Sequence, residues 1–228
     1  GHQVNAGARP GASTMTESLA KYAEQLVIRR MHGEEHVARI VETDLGRYVQ
    51  ERGQERDAEP PLSRVAGQAH LYYGRGAVVM NGLRDLVGEA GMNRALRRIV
   101  SEHGRSATSP DVHTLVRHLQ AEAAPADRAL VSEWLESVVT YDLRVDSARS
   151  RPLGAGRHEV VAHVTASKLR GDAEVPMDER LDVAVGASVS KHRIRTGRNT
   201  IRMIVAGPPG EVRIDPFVRR VELERRDN

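Results

Sequence analysis

Leu130-Val131-Ser132-Glu133-Trp134-Leu135-Glu136-Ser137-Val138-Val139-Thr140-Tyr141-Asp142-Leu143-Arg144-Val145 is the stretch on which the fold turns. Up to Val138 the apolar residues Leu130, Trp134, Leu135 and Val138 recur at helical steps, so they share one face of a helix. From Leu143 onward apolar and polar residues alternate, as in a strand with one buried face. The period therefore changes from 3.6 to 2 near residue 138. The expected fold class is α+β, with a helical part over residues 1–138 and a β module over residues 139–228.

Outward toward the amino end, the helical signal repeats. Leu19, Tyr22, Leu26 and Val27 form a stripe after the capping residues Ser13-Thr14-Met15-Thr16. Gly33 interrupts it, and Val37, Val41, Leu45 and Tyr48 form a second stripe that ends at Gly53. Residues 54–62 are polar and finish on Pro60-Pro61, a loop. A third helix fits Ala77–Val87, with Val79, Leu83 and Leu86 on one side and Gly88 as its stop. Met92, Leu96, Ile99 and Val100 mark a fourth, closed by Gly104. Ser109-Pro110-Asp111 reads as a cap with proline in the first turn of a fifth, whose stripe is Val112, Leu115, Val116 and Leu119. Pro125 opens the sixth.

Toward the carboxyl end the strand signal repeats. Val160, Ala162 and Val164 alternate with polar neighbours, as do Leu181, Val183 and Val185. Thr200–Val205, Val212–Ile214 and Val221–Leu223 complete the set. Gly154-Ala155-Gly156, Gly171-Asp172, Thr196-Gly197-Arg198-Asn199 and Gly207-Pro208-Pro209-Gly210 supply the turns. Short strands at this spacing predict a small antiparallel sandwich. The basic tail from Arg219-Arg220 to Arg225-Arg226, interleaved with Glu222 and Glu224, reads as the polar face of a strand.

Composition narrows the function classes. The chain has 228 residues, 39% hydrophobic and 29% charged, which suffices for a real core and argues against disorder. The longest apolar runs, such as Ala77–Met80, fall far short of the roughly 20 residues that a membrane span needs. No cysteine is present, so there is no disulfide, thiolate metal site or cysteine nucleophile, and the redox compartment stays open. Net charge is +3, aromatics are only 3%, and most arginines alternate with acids. A nucleic-acid partner, which favours a concentrated basic stripe with stacking aromatics, is not expected. The arginines read as solvated surface and salt bridges. No signal-peptide or targeting pattern stands at Gly1, and the chain is expected to be soluble.

Several strings could carry chemistry. His32-Gly33-Glu34-Glu35-His36 matches H-x-x-E-H, a zinc pattern in which both imidazoles ride one continuous helix. Gly33 falls where one stripe ends and the next begins, so the segment reads as a polar turn, with a zinc site at His32 and His36 as an alternative. Gly74-Arg75-Gly76 resembles the start of a phosphate loop, but it lacks the third glycine and a preceding aliphatic strand. A tight approach to the third helix explains it better. His113 and His118 are five apart, the wrong spacing for one helix face, and most of the ten histidines read as surface residues. G-x-S-x-G is absent. Taken singly, Glu17 is a first-turn acid and Tyr73 a half-buried aromatic.

In order and spacing, Gly1-His2-Gln3-Val4, Glu17 in Thr16-Glu17-Ser18-Leu19-Ala20, Pro60–Val65, Tyr72–Glu89 and Met92–Val100 together resemble the zinc aminopeptidases related to aminopeptidase N. The resemblance implies the helical second half of a thermolysin-like catalytic domain followed by a β-sandwich. In that family a helix carries H-E-x-x-H, and a glutamate about eighteen residues later is the third zinc ligand. Glu17 takes that place, so the two histidines and the catalytic glutamate are expected just before Gly1. Tyr73-Gly74-Arg75-Gly76 matches the family's Y-x-K-G string, which makes Tyr73 the catalytic tyrosine that stabilises the transition state. Arg75 replaces the usual lysine. Glu24, seven residues after Glu17, matches an acid that orients a zinc-bound histidine in the family.

Glu174–Asp178, Lys191–Ile201 and Ile214–Phe217 are similar to the tails of a bacterial subgroup in which the peptidase follows a permease region of the ABC-transporter type. The resemblance implies a membrane-associated bacterial parent that uses zinc to hydrolyse the N-terminal bonds of peptides. Its partners would be the peptide substrate, the upstream half of the same catalytic domain and the permease region. The 228 residues alone are expected to be inactive and to bind zinc weakly or not at all. The alternative from another class is a noncatalytic helical and β-sandwich module that recruits a partner, with apolar surface left exposed or used in self-association.

Overall fold

The computed structural model describes residues 6–54, 58–104 and 108–228. The opening Gly1-His2-Gln3-Val4 of the family resemblance lies outside the described residues. The chain divides into two compact units, Gly1–Val139 and Thr140–Asn228. The first is helical and the second is built of antiparallel sheets.

The first unit contains α1 (Leu19–His32), α2 (Glu34–Arg52), α3 (Gly76–His103), α4 (Val112–Glu122) and α5 (Arg128–Glu136). Its core is built from the expected stripes. Val37, Val41, Leu45 and Tyr48 of α2 are buried, as are Leu115, Val116 and Leu119 of α4 and Trp134 and Leu135 of α5. The expected stop at Gly88 is present within α3: Gly88 holds φ +74° and ψ 156°, and the helical rods on either side of it run on directly into each other up to His103. A Cβ is strained at that φ, so glycine allows two helical rods to join without an intervening loop.

Two corrections concern α1 and α4. Val27 is 56% exposed, while Gln25 is buried and donates to the Ala77 carbonyl at 2.9 Å. Burial follows the helical neighbours of Tyr22, and Val27 lies off that face. Pro110 stands before the cap of α4 and not in its first turn. Asp111 is the cap, accepting from the Thr114 amide at 2.8 Å.

The second unit continues β1 (Val139–Gly154) into β2 (Arg157–Arg170), β3 (Ala173–Glu174), β4 (Asp178–Val185), β5 (Ser188–Arg195), β6 (Gly197–Ala206) and β7 (Val212–Ile214). One sheet has the order β1-β2-β3, with β6 also paired to β2 from Arg157↔Ala206 to Ala166↔Gly197. The other has the order β5-β4-β7. Val160, Ala162, Val164, Ile201, Met203 and Val205 all face inward, as period-2 alternation requires.

Val221–Leu223 forms no strand. Tyr141 and Glu222 make an isolated bridge, with the Tyr141 amide on the Val221 carbonyl at 2.8 Å. Arg219, Arg220 and Glu222 are buried, not a polar surface face. The two arginines find partners inside, Arg219 with Asp182 and Arg220 with Glu179 at 2.9 Å, and the Glu222 carboxyl lies 3.2 Å from Arg225.

The Glu222 carboxyl is pushed up to about 8, chiefly by burial. Bonds from Asn228 and the Leu143 amide and the charge of Arg225 oppose the shift, and the charge of Asp215 adds to it. The folded state therefore holds this proton across a pH range in which the unfolded chain has released it. Stability contributed by Glu222 is full below about 4.5 and is lost as pH rises toward about 8. Urea midpoints at pH 5.5 and pH 8 should fall with rising pH, and Glu222→Gln should flatten that difference. An unchanged slope in the variant would show that Glu222 is ionised when folded.

Candidate functional site

Two of the segments that carry the resemblance, those that hold Glu17 and Tyr73, are π-helical. Thr14–Ser18 leads into α1, and His70–Arg75 leads into α3. A π turn carries one residue more than an α turn, which displaces its side chains from the regular helical rows and is common at functional sites.

Small residues let the second turn pack tightly, Gly76 against the first turn and Gly74 against α2. A Cβ on Gly76 would press on the Ser18 side chain, and one on Gly74 would come within 2.7 Å of the Tyr48 Cβ and 3.0 Å of the Asp44 carbonyl. Ser18 donates to the Tyr72 carbonyl at 2.7 Å, and Thr14 to the Leu62 carbonyl at 2.6 Å. Gly74-Arg75-Gly76 is thus helical backbone at a close approach. Gly76→Ala should cost about 1–3 kcal/mol by overpacking and should lengthen the Glu17–Tyr73 contact described next. Chemical denaturation measures the first effect, and the phenol's titration by ultraviolet absorbance the second.

On this frame Glu17 and Tyr73, 56 residues apart, meet at the surface. The Tyr73 hydroxyl donates to Glu17 Oε2 at 2.5 Å. That bond is the main reason the phenol is pushed up to about 12, with slight desolvation and the Glu17 charge adding to it. At neutral pH the hydroxyl therefore keeps its proton and is a ready donor. The ring of Tyr72 lies edge-on to Tyr73 at 4.6 Å between centroids.

Glu24 takes no part in this pair. Its carboxylate sits 2.5 Å from Lys21 Nζ, which also lies 2.7 Å from Asp44. Burial pulls the Lys21 ammonium down, but the hydrogen bonds and charges of Asp44 and Glu24 together hold it above the ordinary lysine value. Burial raises the Asp44 carboxyl despite Lys21. Asp44 is not among the residues singled out from sequence, yet it is legible there as an acid inside the apolar stripe of Val41, Leu45 and Tyr48.

Arg75 is fully buried and serves a different end from Tyr73. Its guanidinium pairs with Glu59 and donates to the Pro60 carbonyl at 2.7 Å. Tyr48, at 2.9 Å, and Arg52, at 2.7 Å, converge on the same carboxylate. The positive charge is thus neutralised where it pins the Pro60-Pro61 loop. His70 and His118 are buried too, and His118 bonds Glu102 at 3.0 Å, so neither is a surface histidine.

Ala6, Met15, Leu19, Leu26, Leu96 and Val100 line an apolar groove of about 350 Å³. Farther along α1, Met31 is 67% exposed. Among the described residues no three His, Cys, Asp or Glu side chains gather to hold a metal ion, and no helix is long and apolar enough to cross a membrane. Compared with protein-family models and with curated proteins, the chain gives no match.

Proposed function

We propose that the chain is the C-terminal piece of a zinc-dependent metalloaminopeptidase. Residues 1–138 would be the helical half of a thermolysin-like catalytic domain and residues 139–228 a β-sandwich. The observation that carries this reading is the 2.5 Å bond between Tyr73 and Glu17. The resemblance gives those two residues, and only those two, contact with the reacting centre.

Catalytic zinc takes three protein ligands and leaves a fourth position for water. Glu17 suits one of the three: an oxygen donor at the surface, on a turn stitched to its neighbours. The described residues supply no complete set, so the two histidines would come from an H-E-x-x-H helix upstream of Gly1. Bound zinc would supply a water activated near neutral pH. Tyr73 would keep its proton and donate it, as a hydrogen bond, to the oxygen of the scissile carbonyl as negative charge develops there. The apolar groove, reached by the chain at Ala6, would be covered by the upstream half of the domain. A permease region and attachment of the parent to a bacterial membrane belong to the same reading.

The test is made on the longer gene product. Its sequence should carry H-E-x-x-H ending about two residues before Gly1, by the spacing from Glu17. The purified protein should contain one zinc and cleave an aminoacyl anilide, and Glu17→Gln should lose most of the metal. The 228 residues alone should not cleave the anilide, and any zinc they take up should not depend on Glu17. Absence of the motif, or full zinc retention in Glu17→Gln, overturns the reading. The second reading, a noncatalytic binding module, is favoured by the exposed apolar face of α1 and would then stand.

A further inference from the structure

The string His32-Gly33-Glu34-Glu35-His36 is not absorbed by that reading. It does not form the single helix that the H-x-x-E-H pattern demands. α1 ends at His32, Gly33 turns the chain with φ +83° and ψ 179°, and α2 begins at Glu34. The break nevertheless brings the two imidazoles together: their ring centroids lie 5.1 Å apart with the planes tilted by 35°.

That separation has a chemical meaning. A tetrahedral ion with metal–nitrogen bonds of about 2.0–2.1 Å holds two imidazole centroids about 5 Å apart. Both side chains are exposed, and among the described residues neither makes a hydrogen bond or ion pair, so their ring nitrogens are not committed to the fold.

The backbone that carries the rings is held from behind. Arg29, whose side chain is only 11% exposed, lies 2.5 Å from Glu34 and 3.1 Å from Asn81 Oδ1 on α3. The Gly33 amide bonds the Arg29 carbonyl at 2.9 Å. The end of α1 and the first turn of α2 are therefore clamped together, and the rings need little rearrangement to share a ligand.

We propose that His32 and His36 form a two-histidine surface site for a borderline divalent transition-metal ion, with water completing its coordination. Imidazole donors favour Zn²⁺, Ni²⁺ and Cu²⁺ over Mg²⁺ and Ca²⁺. Two protein ligands make the site weaker than a structural zinc centre, and with no third group among the described residues it is proposed as a binding site and not a hydrolytic one. The site is independent of Glu17 and does not need the upstream half.

The experiment titrates the 228-residue chain, free of any polyhistidine tag, with Ni²⁺ and with Zn²⁺ by calorimetry, with Mg²⁺ as the contrast. One Ni²⁺ or Zn²⁺ per chain is expected, and none of the Mg²⁺. His32→Ala and His36→Ala should each weaken binding by at least about tenfold, and Glu17→Gln should leave it unchanged. Both histidines are exposed, so circular dichroism should show the variants folded. No saturable binding, or affinity that survives both substitutions, overturns the proposal. Affinity that falls only in Glu17→Gln overturns it as well and assigns the metal to the other site.

Discussion

Glu179→Ala is expected to destabilise the β unit by about 3–5 kcal/mol, because it strands two buried cations. The Glu179 side chain is 1% exposed and lies at the centre of a closed cluster. Lys168 Nζ is 3.0 Å from Oε1, the Tyr141 hydroxyl donates to that same oxygen at 2.9 Å, and Arg220 Nε donates to Oε2 at 2.9 Å. Both cations lie within 6 Å of the Tyr141 ring centroid, at 5.8 Å for Lys168 and 5.7 Å for Arg220. Burial opposes the Arg220 charge, and Glu179, Tyr141 and Asp215 more than compensate, so the guanidinium is held above its ordinary value. Without the carboxylate, two charged groups would remain in a low-dielectric interior with no counter-ion between them.

Urea unfolding followed by far-ultraviolet circular dichroism measures the loss. Fluorescence of Trp134 does not serve, because this single tryptophan lies in the helical unit. Replacing Lys168, Glu179 and Arg220 together by methionine should recover much of the stability, since apolar side chains carry no desolvation cost. A loss below about 1 kcal/mol for Glu179→Ala alone, the worth of an exposed pair, would mean that water reaches the cluster.

On the proposed peptidase reading, Tyr73→Phe in the longer gene product is expected to lower kcat by about 10²–10³, the effect of removing one oxyanion donor. KM and zinc content should change little, because the ring and Glu17 remain. The phenol is protonated throughout the neutral range, since the Glu17 bond pushes it up to about 12. Its role as a donor should therefore add no ionisation to the pH–rate profile near neutrality. Anilide kinetics with metal analysis on the same sample decides the matter. A kcat within about threefold of the unaltered enzyme removes Tyr73 from the chemistry, whatever becomes of Glu17.

Much of the molecule can be read from local pattern, and the exceptions have a common cause. The stripes of α2 and α4 and the inward faces of β2 and β6 follow directly from residue spacing. Val27 and Val100 fall on apolar stripes in the sequence but stand 56% and 38% exposed, because each lies off the face its neighbours bury. Gly88 reads as a stop and acts as a break between two helical rods, a choice that depends on what the next segment packs against. Arginines read as solvated surface and salt bridges, and Arg75, Arg219 and Arg220 are salt-bridged but buried. Their carboxylate partners lie 16, 37 and 41 residues away, beyond any local window.

By itself the sequence determined the order of elements, helices first and antiparallel strands after, because periods of 3.6 and 2 are written into neighbouring residues. Which charges leave water, and that Glu17 and Tyr73 touch, only the tertiary structure decided. A hydrogen bond across 56 residues exists because two π turns meet where the bare face of Gly76 admits Ser18. That closeness is a property of packed surfaces and has no signature in the spacing of residues along the chain.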